Sequence, residues 1–189
     1  NLRFDLTPED NMAIRQETRA DKSDTNTGSL GLEEAWLTDM EHFFDFFSDR
    51  KLALDVFTVA EDSRIDARVQ KEYPGLRHAY QEIQRDTLSE RPNMGELPAR
   101  QALVEFLIRL SLQQYRGLPV PKKYIKEAKA IVHIVKRLVI PDLTLVEDTA
   151  EATLRIYRII TRLPNEEIAE RQWEDLNLDD LQDELSDDE

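Results

Sequence analysis

From Leu32 onward, apolar residues recur at intervals of three and four. Trp36, Met40, Phe43, Phe44 and Phe47 form the first series, which predicts a helix over about 32–47 with an aromatic stripe. Ser48 or Asp49 is placed to cap a second helix that runs to about Tyr73, where Pro74-Gly75 stops it. A third helix covers about 76–90 and ends before Arg91-Pro92, and Pro92 to Pro98 is a loop by composition. The fourth, about 98–116, is apolar on most sides, with one narrow polar stripe of Gln101, Glu105, Arg109, Gln113 and Arg116. A helix of that kind must be covered on most sides. The fifth, about 121–139, carries Pro121 in its first turn and turns Tyr124, Ala128, Ile131, Val135 and Leu138 inward. The sixth, about 145–163, has the clearest boundaries. Thr144 and Glu147 fit a capping box, acids occupy the early turns, arginines occupy the later ones, and Pro164 stops it.

These patterns predict an all-α fold: a bundle-like domain of about six helices over residues 32–164. Residues 1–31 read as an N-terminal arm and mobile connection. Leu2, Phe4 and Leu6 alternate with polar residues there, which fits a short strand or an extended arm. After Pro164 the periodicity fades, and residues 165–189 read as an acidic, largely disordered linker or docking tail. Only 5 glycines occur in 189 residues, which argues against an all-β fold.

Charge is what singles out the tail. Of the net charge of -14, residues 165–189 carry -11, from 12 acids against the one base Arg171. The rest of the chain is therefore close to neutral. Such a tail repels a nucleic-acid backbone, and no polybasic arm offsets it, so nucleic acid is not an expected partner. No apolar run reaches the length of a membrane span, and no signal peptide is visible. The absence of cysteine excludes disulfides and suits a reducing compartment. Position 1 is Asn, which fits a segment of a longer cytoplasmic protein.

Within the tail, Trp173, Leu176, Leu181 and Leu185 are spaced for one apolar face of a short helix. Two readings stand: a solvated linker, or a segment that docks on a partner. Lys122, Lys126, Lys129, Lys136 and Arg137 form a basic stripe on the fifth helix, and Arg155, Arg158 and Arg162 form another on the sixth. Each fits a solvated face, a site for an acidic partner, or a place for the chain's own tail to rest.

Signatures of catalysis are missing. There is no phosphate-binding glycine loop and no His-Glu-x-x-His. His42, His78 and His133 fall on three different predicted helices without a catalytic neighbour pattern. No catalytic residue, cofactor or bound metal is expected. Asp21-Lys22-Ser23-Asp24-Thr25 matches a metal-dependent adhesion loop only by chance, since polar residues precede it where a hydrophobic strand is needed. The densest polar stretch lies on the second helix, at Glu61, Asp62, Arg64, Asp66 and Arg68, beside the small residues Ala60, Ser63 and Ala67. It fits structural ion pairs or a network offered to a partner. A carboxylate metal enzyme using Asp62 and Asp66 is a lesser alternative, because the further ligands it needs are absent.

The run Phe57-Thr58-Val59-Ala60-Glu61-Asp62-Ser63-Arg64-Ile65-Asp66-Ala67-Arg68, followed by Tyr73-Pro74-Gly75-Leu76, resembles the helical region upstream of the von Willebrand factor A domain in NorD-type proteins. That group includes the nitric-oxide-reductase activation protein and the large component of a rubisco activase. The matching positions are Glu61, Asp62, Arg64, Asp66, Tyr73, Pro74 and Gly75, and the acidic stretch 165–189 resembles the family's linker. The resemblance implies a partner of a MoxR-type AAA+ ATPase ring, part of a chaperone-like system that activates or remodels a client metalloenzyme or complex. The client would be engaged through a von Willebrand domain absent from these residues, so no metal site is carried over. The alternative is a free-standing helical regulator whose acidic tail is autoinhibitory.

Overall fold

The structure is a computed structural model that describes residues 39–114, 116–140, 144–169 and 172–177. The expected arm at 1–31, the first part of the 32–47 helix, and Leu181 and Leu185 lie outside the described residues. The chain is mostly helical, with six α-helices among the described residues: α1 (Asp39–Phe44), α2 (Arg50–Glu72), α3 (Arg77–Ser89), α4 (Ala99–Ser111), α5 (Ile125–Leu138) and α6 (Val146–Thr161). It divides into two units at Asp55/Val56.

In the smaller unit, α1 presents Phe43 edge-on to Phe44 and to Phe47, with ring centroids 5.2 and 5.1 Å apart. Asp49 accepts a hydrogen bond from the Leu52 amide at 2.9 Å, so it caps the helix that follows.

In the larger unit, α2 ends where Tyr73 leaves helical geometry, at φ -125° and ψ 71°. The ring of Pro74 forbids a helical residue before it. A short 3-10 turn, Pro74–Leu76, then leads into α3. As its apolar sides predict, α4 is deeply covered: Ala102, Leu103, Phe106 and Leu107 are fully buried. It stops at Ser111, earlier than its periodicity suggests, and Gln113 takes a left-handed φ of 60°. At the other end of the core, Arg100 of α4 donates to the carbonyls of Leu163 and Thr161 at 2.6 and 2.8 Å. A cation thereby meets the last carbonyls of α6, which have no partner within their own helix.

Three departures from the expected elements matter for function. First, α5 begins at Ile125, after a 3-10 turn over Lys122–Tyr124, and Pro121 ends a strand instead of opening a helix. Prolines at 119 and 121 fix φ in a range that suits extended chain. Second, Trp173–Leu176 is a strand, β2, paired antiparallel with β1 (Leu118–Pro121) in the register Leu118↔Leu176 to Pro121↔Trp173. The helix expected there gives way because β1 supplies backbone partners for an extended chain. Trp173 and Leu176, three apart in a strand, therefore face opposite sides. Third, the cap of α6 lies one residue later than Thr144: the Leu145 amide donates to the Asp148 carboxylate at 2.7 Å. Thr144 instead donates to the Ile140 carbonyl at 3.3 Å.

Candidate functional site

The polar stretch on α2 does not act as one cluster. Its centre is Glu61 and Arg64, three residues apart and so on one side of the helix. The Arg64 guanidinium grips the Glu61 carboxylate with two nitrogens, Nε at 3.0 Å and Nη2 at 2.5 Å. Its third nitrogen donates to the Thr144 carbonyl at 3.2 Å. Thr149, in the first turn of α6, donates its hydroxyl to Glu61 Oε2 at 2.6 Å. Both charged side chains are largely shielded, at 18% and 12% exposure. The network therefore pins the start of α6 to the middle of α2. The hydrogen bond from Arg64, helped by Thr149, holds the Glu61 carboxyl below its ordinary range although burial opposes this. Arg64 is pushed further into its charged form by Glu61, and also by Asp148 and Glu147.

The other residues of the stretch go elsewhere. Arg68, two turns from Glu61, pairs with Glu72 at 3.0 Å on an exposed surface. Asp62 is exposed. Asp66 is half-buried, and burial followed by the nearby Asp62 charge raises its carboxyl. Among the described residues, no three His, Asp or Glu side chains converge as metal ligands would.

A second network joins Glu105 and Arg109, from the narrow polar stripe of α4, to Arg91. Glu105 is only 3% exposed and lies between Arg91 and Arg109, both of which donate to it. Arg109 also donates to the Pro92 carbonyl at 2.8 Å, tying the 92–98 loop to α4. The spacing of Glu105 and Arg109 was visible as an i,i+4 pair. Arg91, fourteen residues away in a loop, had no local signal.

The basic stripes are only partly exposed. Lys122, Lys126, Arg137 and Arg162 face solvent, whereas Lys129, Lys136, Arg155 and Arg158 are half-buried. Arg155 pairs with Glu151 at 3.1 Å. Between the stripes sits His133, also half-buried. Burial first, then Arg137, Arg155 and Lys136, lower its pKa below the ordinary 6.5. The folded chain thus resists protonating a side chain that the unfolded chain protonates near pH 6.5. Stability is fully present above that pH and declines as pH falls below it. Exchanging His133→Gln is expected to remove this slope, which urea midpoints at pH 7.5 and pH 5.5 would measure. An unchanged slope would assign it to other groups.

The tail meets the body through an acid that sequence reading passed over. Glu166 accepts from Lys123 Nζ at 2.7 Å and from the Tyr124 hydroxyl at 2.5 Å, while its carbonyl accepts from the Ala99 amide at 2.8 Å. Ile168 is buried, and farther along, Asn177 accepts from the Gly117 amide at 2.9 Å. Lys123 lies just beside the expected stripe residue Lys122. No described helix is long and apolar enough to cross a membrane. Neither the family models, the curated proteins nor the solved structures compared with this chain gave a match.

Proposed function

We propose that this chain is the adaptor region of a cytoplasmic von Willebrand factor A-containing cofactor, which couples a MoxR-type AAA+ ATPase ring to the activation or remodelling of a client metalloenzyme or complex. The observation that carries the reading is how the matching motif divides. Glu61 and Arg64 turn inward and fix α6 on α2, whereas Tyr73-Pro74-Gly75-Leu76 forms an outward corner. Tyr73 is 58% exposed and Leu76 is 46% exposed. A side-chain carbon added at Gly75 would meet no atom within 4 Å. An exposed aromatic beside an exposed leucine suits a contact surface, since apolar anchors carry much of the energy of protein interfaces. The function is binding, without bond-making. The client would be held by a domain outside these residues.

The test is co-purification with a MoxR-type ATPase of the source organism. Tyr73→Ala with Leu76→Ala is expected to weaken complex formation about tenfold or more while leaving the melting temperature nearly unchanged. Arg64→Glu should weaken binding and stability together. Undiminished complex formation by the Tyr73/Leu76 variant would remove this corner from the interface, and no complex with the wild-type chain would remove the adaptor reading.

The contacts of Glu166 with Lys123 and Tyr124 favour a second reading, a helical regulator whose acidic tail rests on its own body. In that case the tail's hold weakens as salt screens the exposed pair.

A further inference from the structure

The β1–β2 ribbon joins two strands that are held very unequally. β1 is firmly built in: Leu118 and Val120 are almost fully buried. Pro119 and Pro121 have no amide hydrogen, so the doubly bonded pairs of this antiparallel ladder fall at Leu118↔Leu176 and Val120↔Glu174. The opposite edge of β1 lacks two donors and cannot take another strand. β2 is a looser occupant. It is four residues long, and its Glu174 and Asp175 side chains are exposed. The Trp173 indole nitrogen is buried without a hydrogen-bond partner. An isolated two-stranded ribbon of this size is marginal in water.

We propose that the inner edge of β1 is a strand-docking site, that residues 173–177 occupy it in cis, and that an extended acidic peptide of another protein takes their place. The pattern of the resident defines the ligand: an aromatic residue, two acids and a leucine, with backbone bonds at the second and fourth positions. Lys122, exposed at the end of β1 that meets Trp173, favours acidic residues in the peptide's approach; Lys123 beside it already holds Glu166. Phenylalanine suits the first position better than tryptophan, because it buries no indole N–H. Strand exchange with a second copy is disfavoured, since it brings two tails of charge -11 together. The site deepens the self-docked tail of the second reading and rests on it; it is independent of the ATPase contact.

The experiment uses the full chain and a fluorescent peptide copying residues 168–177 with Trp173→Phe. The variant Glu174→Pro with Leu176→Pro removes both ladder donors of the resident strand. It is expected to bind the peptide about tenfold or more tighter than the wild-type chain, because the tethered competitor is gone. Asp175→Pro, whose amide faces away from β1, should behave like wild type. Hydrogen exchange on the wild-type chain separates the two layers of the inference. Unprotected Leu118 and Val120 amides would overturn the docked tail and the site with it. Protected amides without any gain in peptide affinity would overturn the site alone. Should the double variant fail to fold, saturating peptide added to the wild-type chain is expected to speed exchange at Glu174 and Leu176 while Leu118 and Val120 stay protected. No change at Glu174 and Leu176 would overturn the proposal. A wild-type dimer that the peptide dissociates would give the site to a second copy and overturn the claim of an outside partner.

Discussion

Replacing Glu105 with Ala is expected to cost about 3–5 kcal/mol of folding stability, the range for removing one member of a buried ion pair. The carboxylate is almost fully buried and receives both Arg91 and Arg109. Its loss leaves two guanidiniums without their counter-charge, and Arg109 is itself only 14% exposed. Arg91→Ala should cost less, because Arg91 is more exposed and Arg109 still neutralises the acid. Glu105→Gln keeps the shape and some acceptor capacity, so it should fall between wild type and Glu105→Ala. The damage should also spread to the 92–98 loop, which Arg109 holds through the Pro92 carbonyl. Urea melts followed by helical circular dichroism measure the first effect, and faster amide exchange over 93–97 reports the second. A loss below about 1 kcal/mol for Glu105→Ala would mean that water reaches the guanidiniums and the network is a surface feature.

Glu105 also marks where sequence reading stops. Its place in a narrow polar stripe does not reveal its burial, which depends on Arg91, an arginine from a loop fourteen residues away. The helices themselves were legible because their signals are local: the Asp49 cap, the stop at Tyr73-Pro74 and the buried face of α5 each depend on neighbours within a few residues. The ribbon depends on pairing residues about 55 positions apart, and no local pattern encodes such a pairing. The spacing of Trp173 and Leu176 suits a helix when read alone. It became a strand because Leu118-Pro119-Val120-Pro121 is held extended by its prolines and offers backbone donors along one edge, at Leu118 and Val120. Within the polar stretch of α2, the pairing of Glu61 with Arg64 was visible at three residues' separation. Their third and fourth partners, the Thr144 carbonyl and the Thr149 hydroxyl, come from α6 and its approach. Neither residue type nor spacing announces a backbone carbonyl as a ligand for an arginine.

Glu61→Ala is expected to cost about 2–3 kcal/mol at neutral pH, since it strips Arg64 of a two-pronged partner and leaves Thr149 without an acceptor. Thr149→Val keeps the shape and should cost about 1.5–2 kcal/mol, the low end of the range for a hydrogen bond to a charged group. The two substitutions share one carboxylate oxygen, so their effects should fall short of additive by about 0.5–1 kcal/mol in a double-mutant cycle. Arg68→Ala, which breaks only the exposed pair with Glu72, should cost under about 0.5 kcal/mol and serves as the control on the same helix. The acid limb gives an independent readout. The folded chain holds the Glu61 carboxyl below its ordinary 4.5, chiefly through the hydrogen bond from Arg64. Its contribution is therefore complete above that pH and disappears as pH falls through the folded value. Glu61→Gln should be less stable than wild type at pH 7, and the gap should close on acidification below pH 4.5. A gap that stays constant with pH would show that the charge of Glu61 is immaterial and that its shape alone joins α2 to α6.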